Sequence, residues 1–75
     1  MEIKILGTGC KKCVTLYENV VRALDETNRE AKVEKVEDIV GIMSYGVMST
    51  PALVVDGKVV VSGRSVGVEE IKKYL

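Results

Sequence analysis

No histidine occurs anywhere in this chain of 75 residues, nor any tryptophan or phenylalanine. The first absence removes imidazole general bases, Cys–His nucleophile pairs and Cys/His zinc fingers. The second leaves tyrosine as the sole aromatic type, so the platforms on which single-stranded nucleic acids stack are not expected. Basic and acidic residues balance at eleven each, with no block of either sign. Phosphate backbones require a clustered positive surface, so nucleic acid is not an expected partner. No apolar run approaches the roughly 18–20 residues of a membrane span, and the N-terminus has no apolar stretch of the signal-peptide type. No membrane association is expected, and the expected compartment is the cytoplasm. Cysteine is confined to Cys10 and Cys13. Two thiols cannot complete a four-ligand structural zinc site within one chain. In a reducing compartment a close pair is more often catalytic or metal-binding than a structural staple.

What is present suffices for one small domain, residues 1–75. Apolar residues make up 47% of the chain and charged residues 29%, a balance that favours folding over disorder. A core of this size leaves a thin margin of stability, roughly 3–5 kcal/mol.

Met1–Leu6 alternates with period two and carries β-branched residues, which predicts a strand. Gly7 and Gly9 break it and allow a tight turn up to Cys10. Apolar residues then recur at Cys13, Leu16, Tyr17, Val20, Val21 and Leu24. That is one helical stripe, running to about Thr27 with Asn28 placed to cap it. Cys13 lies on the buried edge of the stripe and Cys10 at the helix mouth, so one thiol is expected to be accessible and the other shielded. Ala31–Val36 predicts a second strand whose charges suit a sheet edge, with Val36 off the register of Ala31 and Val33. Asp38 is placed to cap a short helix with Ile39, Ile42 and Met43 on one face, weakened by Gly41 and ended by Gly46. The continuous apolar run Ala52–Val55, the turn Asp56-Gly57 and the return Lys58–Val61 predict an antiparallel hairpin buried on both faces. A last helix is expected over Val68–Leu75, with Val68, Ile71 and Leu75 inward and Glu69 and Glu70 at the positive end of its dipole.

The order β-α-β-α-β-β-α begins with a right-handed βαβ unit. It predicts an α/β fold in which a four-stranded mixed sheet is flanked by three helices, the long and last helices sharing one face. Glu2 and Lys4 sit awkwardly in a strand that this order makes central. The short second helix is expected to cover its face incompletely.

The stretch that carries chemistry is Gly7-Thr8-Gly9-Cys10-Lys11-Lys12-Cys13. A Cys-x-x-Cys at a strand-to-helix junction serves either reversible dithiol/disulfide exchange or soft-metal capture.

Together with Thr50-Pro51 entering a hairpin, this arrangement resembles the thioredoxin/glutaredoxin fold over essentially the whole chain, in a minimal version. More narrowly, Ile5-Leu6-Gly7-Thr8-Gly9-Cys10, Thr50-Pro51, Asp56-Gly57 and Gly63-Arg64 are similar to the small archaeal and anaerobic-bacterial glutaredoxin-like (thioredoxin-like) redox-active disulfide proteins. The resemblance implies a thiol–disulfide oxidoreductase that reduces client disulfides. Cys10 would be the attacking thiol and Cys13 the resolving thiol, with no cofactor beyond the Cys10–Cys13 disulfide. Pro51 would be a cis-proline beside that disulfide, Thr50 would offer backbone groups to an extended substrate, and Gly63 would stay bare next to the site. The implied partners are client protein disulfides and a thioredoxin-reductase-like electron donor. Lys11-Lys12 departs from the Gly-Pro and Pro-Tyr pairs of those families, no Trp precedes Cys10, and no equivalent of thioredoxin's buried acid is visible. The glutaredoxin Gly-Gly pair is reduced to Ser62-Gly63, which leaves glutathione a doubtful substrate.

With imidazole absent, activation of Cys10 falls to the amide donors and positive dipole end of the helix, with Lys11 and Lys12 as candidate tuning charges. The expectation is a Cys10 pKa depressed to about 5–7, by analogy with other Cys-x-x-Cys sites. Tyr17 is expected in the core and Arg64 in solvent, while Tyr45 and Met48 are candidates for an apolar lip or for simple packing. The competing reading is a soft-metal chaperone, since two thiolates suit Cu(I) or zinc. The cysteine stretch superficially resembles the loop of heavy-metal-associated copper chaperones. Those domains, however, run strand-helix-strand-strand-helix-strand and carry Met where this chain has Thr8.

Overall fold

A computed structural model describes all residues, 1–75. The elements follow the expected order: β1 (Glu2–Leu6), α1 (Lys11–Glu26), β2 (Lys32–Val36), α2 (Ile39–Ser44), β3 (Ala52–Val55), β4 (Lys58–Ser62) and α3 (Val68–Lys72). The sheet runs β2-β1-β3-β4. Strands β1 and β2 pair in parallel, as a helical crossover requires, while β1–β3 and β3–β4 are antiparallel. This is the four-stranded mixed sheet with three helices of a minimal thioredoxin fold. Its order ends in a helix, unlike that of the copper-chaperone domains.

Side-chain alternation sorts the sheet into two faces. Ile3 and Ile5 of β1, Leu53 and Val55 of β3 and Val61 of β4 meet Leu16, Val20, Ala23 and Leu24 of α1, together with Ile71 of α3. Helices α1 and α3 therefore share one face. Each large aliphatic side chain buried there contributes about 1.5–3 kcal/mol. The other face holds a smaller cluster of Leu6, Ala52 and Val54 under Ile42 of α2. Val36 packs against this second cluster and Val33 against the first. That explains why Val36 falls off the register of its neighbours: β2 supplies apolar contacts to both faces.

The hairpin meets its expectation in β3, every residue of which is buried, but not in β4. β4 is an edge strand in which Val59 and Val60 are only half-buried. Val54 pairs with Val59 and Leu53 with Val61, leaving Val60 as the extra residue of a bulge. The bulge turns both Val60 and Val61 toward the larger core.

The awkward charges of β1 are accommodated by the thinly covered face. Lys4 runs its stem along the sheet, with its ammonium 5.7 Å from the Tyr45 ring centroid and 3.8 Å from a Glu34 carboxylate oxygen. Glu2 is exposed, and its backbone N–H donates to the Asp56 side chain.

Helix α2 departs from the expected orientation. Asp38 does cap it, accepting from the Gly41 N–H, but Ile42 alone turns inward, while Ile39 and Met43 are 63% and 67% exposed. A helix this short presents one inward position per turn, and Gly41 occupies the line of closest approach. A Cβ on Gly41 would stand 3.0 Å from Val36 Cγ1, so the glycine lets α2 lie down on β2. Gly46, at φ +77, follows the helix end at Tyr45. Helix α1 ends at Thr27, with Asn28 one residue beyond in the left-handed region. Helix α3 stops short of Leu75: Tyr74 and Leu75 donate to Ile71 and Lys72 in a tighter final turn. Leu75 still packs against the larger core.

Candidate active site

The junction of β1 and α1 is built so that the first cysteine serves as the helix N-cap. Cys10 is extended (φ −67, ψ 165), and its sulfur accepts from the Cys13 N–H at 3.2 Å. Its carbonyl receives the Val14 N–H, the first bond of the helix ladder. The cap role usually taken by a Ser or Asp oxygen is here taken by sulfur. Gly9, at φ +86, supplies the turn into the cap.

Cys10 and Cys13 are joined by a disulfide, their Cα atoms 5.1 Å apart. Cys10 is exposed and Cys13 is 5% exposed. The helical stripe had predicted this inequality, because one residue precedes the buried face and the other begins it.

The second wall comes from the loop between α2 and β3. The Thr50–Pro51 peptide is cis, Pro51 is fully buried and Thr50 is exposed. Pro51 reaches the disulfide across Gly7: its Cα lies 4.0 Å from where a Gly7 Cβ would be, a position that overlaps the Cys13 sulfur. Gly63 closes the same corner. Its N–H donates to the Pro51 carbonyl at 2.9 Å, its φ is +78, and an added Cβ would stand 3.1 Å from Ser49 Cβ. Cys10, Cys13, Pro51 and Gly63 thus gather at one end of the sheet.

Other candidates are placed differently. Lys11 and Lys12 are exposed and enter none of the ion pairs. Tyr45 packs on the smaller core, whereas Met48 is 99% exposed. Tyr17 is half-buried against the larger core. Arg64 is not simply solvated. It donates to both Glu70 carboxylate oxygens, the shorter bond at 2.8 Å, and that contact raises the Arg64 pKa and lowers that of Glu70.

Two features escaped the sequence. Gly7 reads as a strand breaker, yet it is the residue against which the buried sulfur rests. Its place at the end of a central strand, just ahead of the cysteines, is the signal that could have found it. Lys35 and Glu37, at and just beyond the end of β2, line a small cavity beside Cys13. Only the parallel register brings them there, since Leu6 pairs with Val36 and the Gly7 N–H donates to the Val36 carbonyl.

No three or more Cys, Asp or Glu side chains are grouped so as to hold a metal ion. No helix is long and apolar enough to cross a membrane.

The family model described as Thioredoxin domain matches residues 1–75. The chain is 40% identical over 75 residues to a thioredoxin of Methanothermobacter thermautotrophicus, covering 100% of this chain and 97% of that one. It is 42% identical over 73 residues to a thioredoxin of Methanocaldococcus jannaschii, covering 97% of this chain and 84% of that one.

Proposed function

The chain belongs to the thioredoxin domain family, a family of protein-disulfide oxidoreductases, and on that premise we propose that it reduces client disulfides through the Cys10/Cys13 couple. The observation that carries this reading is the pairing of unequal sulfurs. The sulfur of an exposed Cys10 sits at a helix N-cap and accepts an N–H, and it is bonded to the sulfur of a buried Cys13.

In the reduced protein, Cys10 is the attacking thiol. Its thiolate is favoured by the Cys13 N–H and by the positive end of α1. It attacks one sulfur of a client disulfide, forming a Cys10–client disulfide and releasing the other client sulfur as a thiolate. Cys13, held one helical turn away, then attacks the Cys10 sulfur. The intramolecular disulfide forms, the mixed disulfide breaks, and the second client sulfur leaves and takes up a proton. Two electrons pass to the client, and a thioredoxin-reductase-like donor returns the protein to its dithiol form. Thr50 is exposed and offers a backbone edge on which an extended client segment can pair, and Gly63 presents no side chain at the corner beside it, where its N–H donates to the Pro51 carbonyl. The disulfide is itself the redox group, and no added cofactor is required.

The test is catalysed reduction of a protein disulfide such as those of insulin, with dithiothreitol as donor. The wild type is expected to accelerate it. Cys10→Ser is expected to abolish the acceleration, and Cys13→Ser to accumulate a mixed disulfide at Cys10. Turnover that survives Cys10→Ser rules the reading out. Anaerobic titration with Cu(I) and zinc separates the metal reading, which requires submicromolar binding and a sluggish disulfide.

A further inference from the structure

The sheet ends on β2 at one side and on β4 at the other. The β4 edge is interrupted by the Val60 bulge, a device that blunts an edge against pairing. The β2 edge is regular, all of its residues following β1 without a register shift. The Lys32 N–H donates to the Met1 carbonyl, and the Val36 carbonyl accepts from the Gly7 N–H. Backbone groups alternate sides along a strand, so Lys32, Glu34 and Val36 bond β1 while Val33 and Lys35 point theirs away from the sheet. Neither Val33 nor Lys35 takes part in the backbone bonds made outside the regular elements. Beside this edge runs an open groove of about 770 Å³, lined in part by Met1, Tyr17, Val21, Ala31 and Val33.

We propose that β2 is the interface of a homodimer, pairing antiparallel with β2 of a second copy about a two-fold axis at Val33. Val33 then exchanges both backbone bonds with its counterpart, and Ala31 does the same with Lys35 on either side. This register sets Lys32 opposite Glu34 on both sides of the axis, and further out brings Arg29 level with Glu37. Lys32, Arg29 and Glu37 have no ion-pair partner within their own chain, and Glu34 has only Lys4, at 3.8 Å. Opposite charges facing one another across strands stabilise pairing, and like charges oppose it. A slide of two residues one way sets Glu34 against Glu34, and the other way Lys32 against Lys32. A slide of one residue turns the outward groups of one strand toward the inward groups of the other. The charges that guard this edge against other partners therefore single out one register of its own sequence. An axis perpendicular to the sheet keeps both α1 helices on one face, so the apolar linings of the two grooves meet. Because β1 and β2 run parallel, the pairing sends the two Cys10–Cys13 disulfides to opposite ends of a continuous sheet, clear of each other.

One strand edge and one helix flank make a small interface, so a reversible monomer–dimer exchange is expected between roughly 10 µM and 1 mM in sedimentation equilibrium. Lys32→Glu and Glu34→Lys each place like charges in both facing pairs, and each is expected to weaken association about tenfold. An equimolar mixture of the two variants restores opposite charges in both pairs and is expected to regain dimers. A merely structural effect of either substitution cannot produce that rescue. Amide hydrogen exchange followed by NMR is the second measurement: the Val33 and Lys35 N–H groups are expected to gain protection as protein concentration rises. A chain that stays monomeric up to about 1 mM overturns the proposal. So do dimers that persist in both single variants, dimers without that protection, and protection conferred by added insulin B chain rather than by concentration. The last result would mark the edge as a docking strand for extended clients.

Discussion

A methyl group on Gly7 would overlap the sulfur of Cys13 and lie 3.0 Å from its Cβ, so the end of the central strand and the buried thiol already touch. The Pro51 Cα stands 4.0 Å from the same point, already at contact distance. Gly7→Ala is therefore expected to destabilise the oxidised protein by about 1–3 kcal/mol through overpacking. Urea denaturation measures this, and an unchanged midpoint would show that the contact relaxes freely.

The N-cap position of Cys10 makes a kinetic prediction. At about pH 6.5, Cys10 of the reduced protein should react with iodoacetamide roughly five- to tenfold faster than a free peptide thiol, because the Cys13 N–H and the positive end of α1 favour its thiolate. Cys13 should lag far behind. Lys11 and Lys12 are exposed and unpaired, so replacing both with Gln should change the rate less than the helix terminus does, and less still at high salt. Labelling of Cys10 at the peptide rate would remove the activation claim.

What could be read in advance followed local periodicity. The stripe from Cys13 to Leu24 already made the thiols unequal, and the two-residue alternation of β1 placed Ile3 and Ile5 on one face. Helix α2 was opaque for the opposite reason. Ile39, Val40, Ile42 and Met43 are all apolar, so no polar face shows which side turns in. The outcome depends on how closely Gly41 meets Val36. The approach of Lys35 and Glu37 to Cys13 arises from the pairing of β1 with β2, segments far apart in sequence. No window of neighbouring residues contains that information.

Ion pairs around α3 predict how stability responds to pH. The Glu26 pKa is lowered chiefly by its hydrogen bond with Lys72, and that of Glu70 chiefly by its hydrogen bond with Arg64. A carboxylate with a depressed folded pKa stabilises the protein above its ordinary value of 4.5, and this contribution is lost as pH falls through the folded value. Lys72 is shifted upward, chiefly by the hydrogen bond with Glu26. Its contribution is present below 10.5 and lost as pH rises through its folded value. Urea midpoints should therefore fall on both the acid and the alkaline side. The double variant Glu26→Gln/Glu70→Gln should flatten the acid limb. Because these groups are exposed to solvent, added salt should weaken the effect, and an acid limb unchanged in the double variant would refute the assignment.

The smaller core places most of its anchoring of α2 on one side chain. Ile42 is the single buried residue of that helix, and it meets Leu6, Ala52 and Val54. Ile42→Ala is expected to cost about 2–5 kcal/mol, comparable to the roughly 3–5 kcal/mol that a domain of this size commands. Ile42→Val, at about 0.5–1.5 kcal/mol, gives a variant that stays folded for measurement. Ile39 and Met43 project into solvent, so Ile39→Ser and Met43→Ser should each stay within about 0.5 kcal/mol of the wild type. The same urea series checks all four substitutions. A cost for Ile39→Ser equal to or above that of Ile42→Val would mean that α2 is rotated about its axis, as its undivided apolar sequence alone would permit.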